Sequence, residues 1–297
     1  MVRLRVPATI ANLGPAFDAV GLAVNLYNEV ELKISAESAV TISGEGEGPL
    51  PEDASNLVYQ AAAAAAQRAG RASAFSIRCR NAIPIGRGLG SSAAAIVAGV
   101  VAANAALDNP LEPDDVLDLA WRTEGHPDNV AAALFGGVVL TDVTSGRVAW
   151  TKLLPVWNAA VVVAVPDFAV LTDRARAVLP ERVPYADAVA NISRTAWLIA
   201  ALLTGRGELL EVGMEDLLHQ PYRRALVPGM QQVIGAARAA GAWGAALCGS
   251  GPSVVAIAPP ERADAVGSQM VAAFSSAGHH ARYLRLQVDA EGAKVLK

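Results

Sequence analysis

PIGRGLGSSAAA, at residues 84–95, is a glycine-rich segment with two hydroxyl groups that runs directly into an alanine-rich stretch. Its three glycines lack Cβ and can adopt positive φ, so successive backbone N–H groups can point at one position. If a helix begins at Ser91 or Ser92, its unpaired N–H groups and its positive dipole end face the same position. The segment therefore predicts a phosphate site, and a glycine turn with a serine N-cap is the simpler alternative.

This loop matches neither of two common nucleotide-binding motifs. A Walker A loop needs a lysine, and residues 84–95 contain none. The glycines follow the spacing GxGxG far from the N-terminus, unlike the GxGxxG of a Rossmann fold. Positive charge must then come from elsewhere, and a divalent metal ion held by oxygen ligands is the expected companion of such a loop.

Composition indicates a globular protein that binds small molecules. The 297 residues are 53% hydrophobic, which is enough for about two domains, and the net charge is −4. Lysines and arginines are scattered, so we expect no nucleic-acid partner, and no apolar run approaches the ~20 residues of a membrane span. We expect a cytoplasmic protein without a membrane partner. Cys79 and Cys248 are its only cysteines, and we predict no zinc site or disulfide.

The pattern of apolar residues predicts a mixed α+β architecture. Period-two alternation predicts strands at residues 2–6, 30–34, 40–42 and 75–79. Helices are predicted at residues 61–69, 93–106, 113–124, 185–203, 230–240 and 261–274, with a further helix opening at Pro127. Later strands are predicted at residues 137–143, 161–165, 254–258 and 282–288. A change in composition places the domain boundary near residue 154, giving domains of residues 1–154 and 155–297.

Three further segments combine small residues with polar side chains. In EGHPDN (residues 124–129), Glu124 ends one predicted helix, whereas Asp128 and Asn129 begin the next; helix capping is the alternative to metal or substrate binding. PATIANLGPAFD (residues 7–18) contributes Asn12 and Asp18, which could also just close a turn. GAALCGSGPS (residues 244–253) is a small-residue loop that permits close approach of the backbone, with a tight hairpin as the alternative.

Taken in this order, the four segments resemble the motifs of the homoserine kinases, which are members of the GHMP family of small-molecule kinases. TDRARAVLP (residues 172–180) and HQPYRRALVPG (residues 219–229) also resemble stretches typical of that group, so the resemblance covers nearly the whole chain. Three positions depart from the family's usual residues: Ala16 replaces glycine, and Ile10 and Cys248 replace serine. The resemblance implies a ribosomal-protein-S5-like N-terminal domain joined to a ferredoxin-like C-terminal domain, with the active site between them.

The resemblance also implies ATP-dependent phosphorylation of the side-chain hydroxyl of L-homoserine, which gives O-phospho-L-homoserine for threonine biosynthesis, by a homodimer. Mg²⁺ would be held by Ser92 and Glu124, with Asp118 as the alternative to Glu124. The adenine would lie near Asn56. The implied ATP-binding residues are Asn56, Pro84, Ile85, Gly86, Arg87, Gly88, Leu89, Gly90, Ser91, Ser92, Ala93 and Ala94.

For the acceptor, the resemblance implies that Arg176 and Arg223 pair with the amino-acid carboxylate and that Asp18 pairs with the ammonium group. The implied substrate-binding residues are Asn12, Asp18, Asp128, Thr172, Arg176, Arg223 and Gly249.

Catalysis is expected to depend on Asn129 and Asn12. Related mevalonate kinases have an aspartate where Asn129 stands, and an amide cannot act as a base. We therefore expect direct transfer, with Asn129 and Asn12 orienting the hydroxyl and Asp128 as the alternative base. A GHMP kinase for another alcohol, such as mevalonate or an isoprenoid intermediate, and a non-catalytic nucleotide-binding protein are the competing interpretations.

Overall fold

The chain folds around two β-sheets, and the computed structural model describes residues 1–144 and 146–296. The first half contains, in order, β1 (Val2–Ala11), β2 (Val20–Ser35), β3 (Ala39–Gly44), α1 (Leu57–Arg68), β4 (Ala74–Asn81), α2 (Ser91–Ala106), α3 (Pro113–Glu124), α4 (Pro127–Phe135), β5 (Val138–Thr144) and β6 (Arg147–Leu153). The second half contains β7 (Ala160–Pro166), α5 (Thr172–Ala177), α6 (Tyr185–Thr204), α7 (Leu210–Gly213), α8 (Gln220–Arg223), α9 (Met230–Ala239), β8 (Gly244–Leu247), β9 (Val254–Ala258), α10 (Ala263–Ser276), β10 (Ala281–Leu286) and β11 (Lys294–Leu296).

The first sheet has the strand order β11-β1-β2-β4-β3, with β5 pairing with both β2 and β6. Helix α2 is buried along most of its length and packs against α1, α4 and β1. Gly99 permits this packing, because a Cβ there would lie 2.3 Å from the carbonyl oxygen of Val58. The glycine-rich loop before α2 is therefore fixed to a rigid, central helix.

The second sheet has the order β10-β7-β9-β8, and every pairing in it is antiparallel. Numbered along the chain, these strands lie in the order 4-1-3-2 with helices in the two crossovers, which is the predicted ferredoxin-like arrangement. Side chains of β7 alternate between two cores: Val161 and Val163 join the core of the first sheet, whereas Val162 and Ala164 face α9 and α10. The second sheet is thus packed directly against the first domain's core.

Several details differ from the sequence-based expectations. Strands β6 and β11 were not expected, and β8 occupies the start of a segment predicted as a loop. Strand β11 pairs with β1, so the end of the chain returns to the first sheet. The domain division at residues 154 and 155 stays a prediction. The serine N-cap is wrong: the N-cap of α2 is Gly90 in the left-handed conformation, and no side chain caps the helix.

Candidate active site

A cavity of about 510 Å³ is lined from both halves of the chain. Residues of all four segments selected in the sequence analysis line this cavity. Some of these segments are separated by more than 200 residues in the chain. All predicted site residues except Ala93 line it. The side chain of Ala93 is fully buried in the core beneath the loop, and the place of this residue in the ATP site stays a prediction.

The glycine-rich loop adopts the backbone conformation that the sequence predicts. Gly86, Gly88 and Gly90 have φ values of 64°, 74° and 68°, and α2 begins immediately afterwards. The loop also approaches its neighbours closely: a Cβ on Gly88 would lie 2.2 Å from the carbonyl oxygen of Cys248. The first N–H groups of α2 have no partners within the helix and lie at the loop, where they can bind an anion.

Replacing Gly90 by alanine is expected to weaken ATP binding by about 10- to 30-fold. The added Cβ would lie 1.9 Å from the hydroxyl of Thr9 and 3.2 Å from Oδ1 of Asn129, so the loop must move. Calorimetric titration with ATP·Mg²⁺ measures the effect. Gly70→Ala is the matched control, because Gly70 has the same φ of 68° with no atom within 4 Å of the added Cβ. Equal ATP affinity for Gly90→Ala and the wild type would contradict this expectation.

Arg87 fastens the loop to the second domain. Its guanidinium donates hydrogen bonds to the carbonyl oxygens of Ile85 (3.1 Å), Pro166 (2.9 Å) and Asp167 (2.9 Å). These donors are therefore occupied by backbone carbonyls. The side chain therefore holds the loop against the end of β7.

The side-chain oxygen and nitrogen of Asn56 also form hydrogen bonds within the protein. It is the N-cap of α1, where its Oδ1 accepts a hydrogen bond from the N–H of Val58 at 2.9 Å. Its Nδ2 donates to the carbonyl oxygen of Pro51 at 2.8 Å. Asn56 thus fixes the wall of the cavity, and its place beside adenine stays a prediction.

Two oxygen-bearing side chains meet at the start of α2. The hydroxyl of Ser92 donates to Oε1 of Glu124 at 2.6 Å, and burial raises the pKa of Glu124 above its usual value. Hydroxyl and carboxylate oxygens suit Mg²⁺, which usually takes one or two carboxylates and completes its shell with phosphate oxygens and water. Among the described residues, no group of three or more His, Cys, Asp and Glu side chains is arranged to hold a metal ion by itself. Ser92 and Glu124 therefore fit a metal ion that arrives with a nucleotide.

Asp118, the alternative metal ligand, lies elsewhere. Both of its oxygens accept hydrogen bonds from Arg122, at 2.9 and 3.3 Å, and Asp118 does not line the cavity. The geometry therefore favours Glu124.

The first turn of α4 carries the predicted catalytic group. Oδ1 of Asn129 accepts a hydrogen bond from the hydroxyl of Thr9 at 2.7 Å, which fixes the amide. Asp128 is buried and accepts from the backbone N–H of Asn129 at 2.8 Å. His126, which sequence reasoning missed although it lies within EGHPDN, lines the cavity 3.3 Å from Oδ1 of Asp128. Burial opposes its charged form, but Asp128 and Glu124 outweigh burial and raise the pKa of His126.

Asn12 closes the loop that follows β1. It has a φ of 72°, its Oδ1 accepts from the N–H of Asp18 at 3.0 Å, and its Nδ2 donates to the carbonyl oxygen of Gly249 at 3.3 Å. Asn12 thus closes this loop and also lines the cavity, and its role toward a substrate stays a prediction. Asn12 thereby links the loop to the Gly249 segment of the second domain.

Charged side chains from both halves of the chain gather in one part of the cavity. Arg176 forms a two-pronged ion pair with Asp18, at 3.0 and 2.7 Å. Arg223 is only 2% exposed and donates to the carbonyl oxygens of Ala175 (3.1 Å) and Gly249 (2.9 Å). Burial, and then the neighbouring Arg176, lower the pKa of Arg223 to about 10.

Phe17 lies beneath both arginines. The guanidinium carbons of Arg176 and Arg223 lie 5.4 and 5.3 Å from its ring centroid, which is within the range of cation–π attraction. Phe17 was not among the residues predicted from the sequence. Its position next to Asp18, which was predicted, is the one feature that could have indicated it. This part of the cavity offers two positive groups and one negative group on an aromatic support.

Comparison with known proteins places the chain in a family. A family model described as the GHMP kinases N terminal domain matches residues 56–137, and one described as GHMP kinases C terminal matches residues 198–276. The homoserine kinase of Carboxydothermus hydrogenoformans is 46% identical over 295 residues, which cover 99% of this chain and 96% of that protein. The chain belongs to the homoserine kinases of the GHMP family. The homoserine kinase of Moorella thermoacetica is 44% identical over the full length of both proteins.

Solved structures agree with this homoserine kinase assignment. The homoserine kinase of Cytophaga hutchinsonii superposes with a TM-score of 0.90 at 34% identity and covers 99% of this chain and 97% of its own. A mevalonate kinase has a TM-score of 0.73 at 14% identity, covering 97% and 99% of the two chains, which shows the shared fold alone. The predicted GHMP fold is therefore confirmed, and the chain is a kinase. Within the described residues, no helix combines the length and the apolarity needed to cross a membrane.

Proposed function

We propose that this kinase transfers the terminal phosphoryl group of ATP to the side-chain hydroxyl of L-homoserine, giving ADP and O-phospho-L-homoserine, a step of threonine biosynthesis. The observation that carries the proposal is a single cavity lined both by an anion-binding loop and by Asp18, Arg176 and Arg223. An amino acid needs both signs of charge for recognition, because it bears a carboxylate and an ammonium group.

ATP is the donor. Its phosphates lie against the loop N–H groups and the N-terminus of α2, where the backbone geometry suits anions. Ser92 and Glu124 would hold Mg²⁺. When bound, the metal ion neutralises charge on the phosphate oxygens during transfer.

The acceptor replaces an ion pair that the protein makes with itself. Arg176 and Asp18 are joined in this structure, and both line the cavity. The ammonium group of homoserine pairs with Asp18, and its carboxylate pairs with Arg176 and Arg223. Thr172 and Gly249 also contact the bound homoserine. Bound homoserine thus gives Asp18 and Arg176 each a new oppositely charged partner in place of the other.

Transfer forms a bond between the homoserine hydroxyl oxygen and the γ-phosphorus and breaks the bond from that phosphorus to the leaving oxygen of ADP. Asn129, fixed by Thr9, and Asn12 orient the hydroxyl. Its proton passes to an oxygen of the transferred phosphoryl group. Asp128, which is held 2.8 Å from the N–H of Asn129, is the alternative proton acceptor.

An ADP-release assay with L-homoserine, mevalonate and simple sugars tests the proposed substrate. We expect L-homoserine alone to stimulate ADP release clearly above the rate without acceptor. Stimulation by mevalonate but not by homoserine would assign the kinase to another alcohol. Binding of ATP·Mg²⁺ in calorimetry without turnover of any alcohol would support a non-catalytic nucleotide-binding protein.

We also propose a cytoplasmic homodimer. Both cysteines are free, buried thiols, as expected in a reducing compartment that supplies ATP. Helix α6 carries exposed apolar side chains at Tyr185, Val189 and Ile192, which a second copy can cover. Analytical ultracentrifugation tests the dimer, and a monomeric mass at micromolar concentration would refute it.

A further inference from the structure

His219 lies behind the acceptor end of the cavity, completely buried, and contacts both halves of the chain. Its Nε2 is 2.7 Å from the carbonyl oxygen of Gly14, in the loop between Asn12 and Asp18. Its Nδ1 is 3.3 Å from Nη1 of Arg223. The ring also lies against Phe17, with centroids 5.2 Å apart. One imidazole therefore touches the loop, the aromatic support and the buried arginine.

These partners fix the tautomer of His219. A carbonyl oxygen only accepts hydrogen bonds, so Nε2 must carry the proton and donate to Gly14. Nδ1 then has a free lone pair that accepts from the Arg223 guanidinium, which only donates. Burial lowers the pKa of His219, which keeps the ring neutral and this arrangement intact at pH 7.

Asp216 and Asn191 hold His219 and the same loop in place. The carboxylate of Asp216 accepts from the backbone N–H groups of Leu218, His219 and Gln220, at 2.9, 3.0 and 2.6 Å. It also accepts from Nδ2 of Asn191 at 2.9 Å, and that amide donates in turn to the carbonyl oxygen of Pro15 at 3.1 Å.

The hydrogen bonds of Arg223 show why its orientation matters. Nε and Nη1 donate to Ala175, Gly249 and His219. Within the described residues, Nη2 has no protein acceptor, and Arg223 lines the cavity. The protein-bound donors therefore set the direction in which Nη2 faces the acceptor site.

We propose that His219 is a positioning residue for the acceptor, which orients Arg223 through Nδ1 and so determines the affinity for the amino-acid carboxylate. This inference rests on the proposed function, in which Arg223 binds that carboxylate. None of the hydrogen bonds described for His219 reaches the glycine-rich loop. Removal of this side chain is therefore expected to act on homoserine binding and to leave ATP binding unchanged.

Two conservative variants separate the two hydrogen bonds of the ring. The side-chain oxygen of asparagine is two bonds from Cβ, as is Nδ1 of histidine, so His219→Asn retains an acceptor for Arg223. The amide nitrogen of glutamine is three bonds from Cβ, as is Nε2, so His219→Gln retains a donor for Gly14. His219→Leu removes both bonds and keeps an apolar side chain against Phe17.

Steady-state kinetics of the full-length variants test the proposal. We expect His219→Leu to raise the KM for homoserine by about tenfold or more, while the KM for ATP stays within about twofold. His219→Asn is expected to recover to within about threefold of the wild-type homoserine KM and to bind homoserine more tightly than His219→Gln. An unchanged homoserine KM in His219→Leu, an equal rise in both KM values, or no advantage of His219→Asn over His219→Gln would overturn it.

Gln220→Leu is the matched control for loss of a buried hydrogen bond. Gln220 is buried, and its Oε1 accepts from the N–H of Leu247 at 2.8 Å and not from Arg223. We expect it to lower the melting temperature without changing either KM. If His219→Leu does not fold, the comparison of the asparagine and glutamine variants decides the proposal. A wild-type protein that homoserine does not stimulate would instead refute the proposed function itself.

Discussion

Replacing Glu124 by glutamine lowers kcat by about 100-fold or more, with little change in the KM for homoserine. Glutamine has nearly the same shape and can still accept a hydrogen bond from Ser92, but it lacks the negative charge that a divalent cation requires. The effect should therefore appear in phosphoryl transfer and in the Mg²⁺ concentration needed for half-maximal rate. Steady-state rates at increasing Mg²⁺ measure both quantities.

Asp118→Asn is the matched control for Glu124→Gln. Asp118 also lies on α3, six residues earlier, but its carboxylate is engaged by Arg122 outside the cavity. We expect its kcat to stay within about twofold of the wild type. A large loss in Asp118→Asn together with a small loss in Glu124→Gln would show that the metal ligand has been assigned to the wrong carboxylate.

Replacing Arg223 by leucine raises the KM for homoserine by about 100-fold, because a charge-assisted hydrogen bond to the substrate carboxylate is lost. The KM for ATP should change little, since Arg223 lies at the acceptor end. Arg174→Leu is the control, because Arg174 is an exposed arginine of the neighbouring α5 that does not line the cavity. A homoserine KM within about threefold of the wild type would contradict the role given to Arg223.

Arg223→Lys adds a pH dependence to this prediction. Burial already lowers the pKa of Arg223 to about 10, which leaves it charged at pH 7 to 9. Lysine starts from a lower pKa of about 10.4, and burial likewise favours its neutral form. Its charge is therefore lost as the pH rises, so the homoserine KM of Arg223→Lys should increase between pH 7 and 9 relative to that of the wild type. Parallel pH profiles for the two proteins would contradict this expectation.

The local features of the site could be predicted from the sequence. Glycines with positive φ, the start of α2 and the end of α3 at Gly125 depend on residues adjacent in the chain, and the structure has all of them. The serine N-cap, which was the simpler alternative interpretation of the glycine-rich segment, is wrong. Gly90, which adopts the left-handed conformation, occupies the N-cap position and moves both serines into the first turn.

Long-range pairings could not be predicted in the same way. Asp18 and Arg176 are 158 residues apart, and only the packing of the two sheets against one core brings them together. His219 opens the stretch HQPYRRALVPG, which resembles the family, but nothing in the neighbouring residues shows that its side chain is fully buried against Arg223. Similarly, β11 is too short for its apolar residues to show a strand pattern in the sequence. It forms a strand because it pairs with the exposed edge of β1.

The central claim is that one cavity recognises both charges of an amino acid while it presents the side-chain hydroxyl to ATP. The most direct measurement compares kcat/KM for L-homoserine with the values for 4-hydroxybutyrate, which lacks the ammonium group, and 3-aminopropan-1-ol, which lacks the carboxylate. We predict that each loses about 100-fold or more, because Asp18 or the two arginines are left without their partner. A value for either analogue within about tenfold of that for L-homoserine would contradict the account.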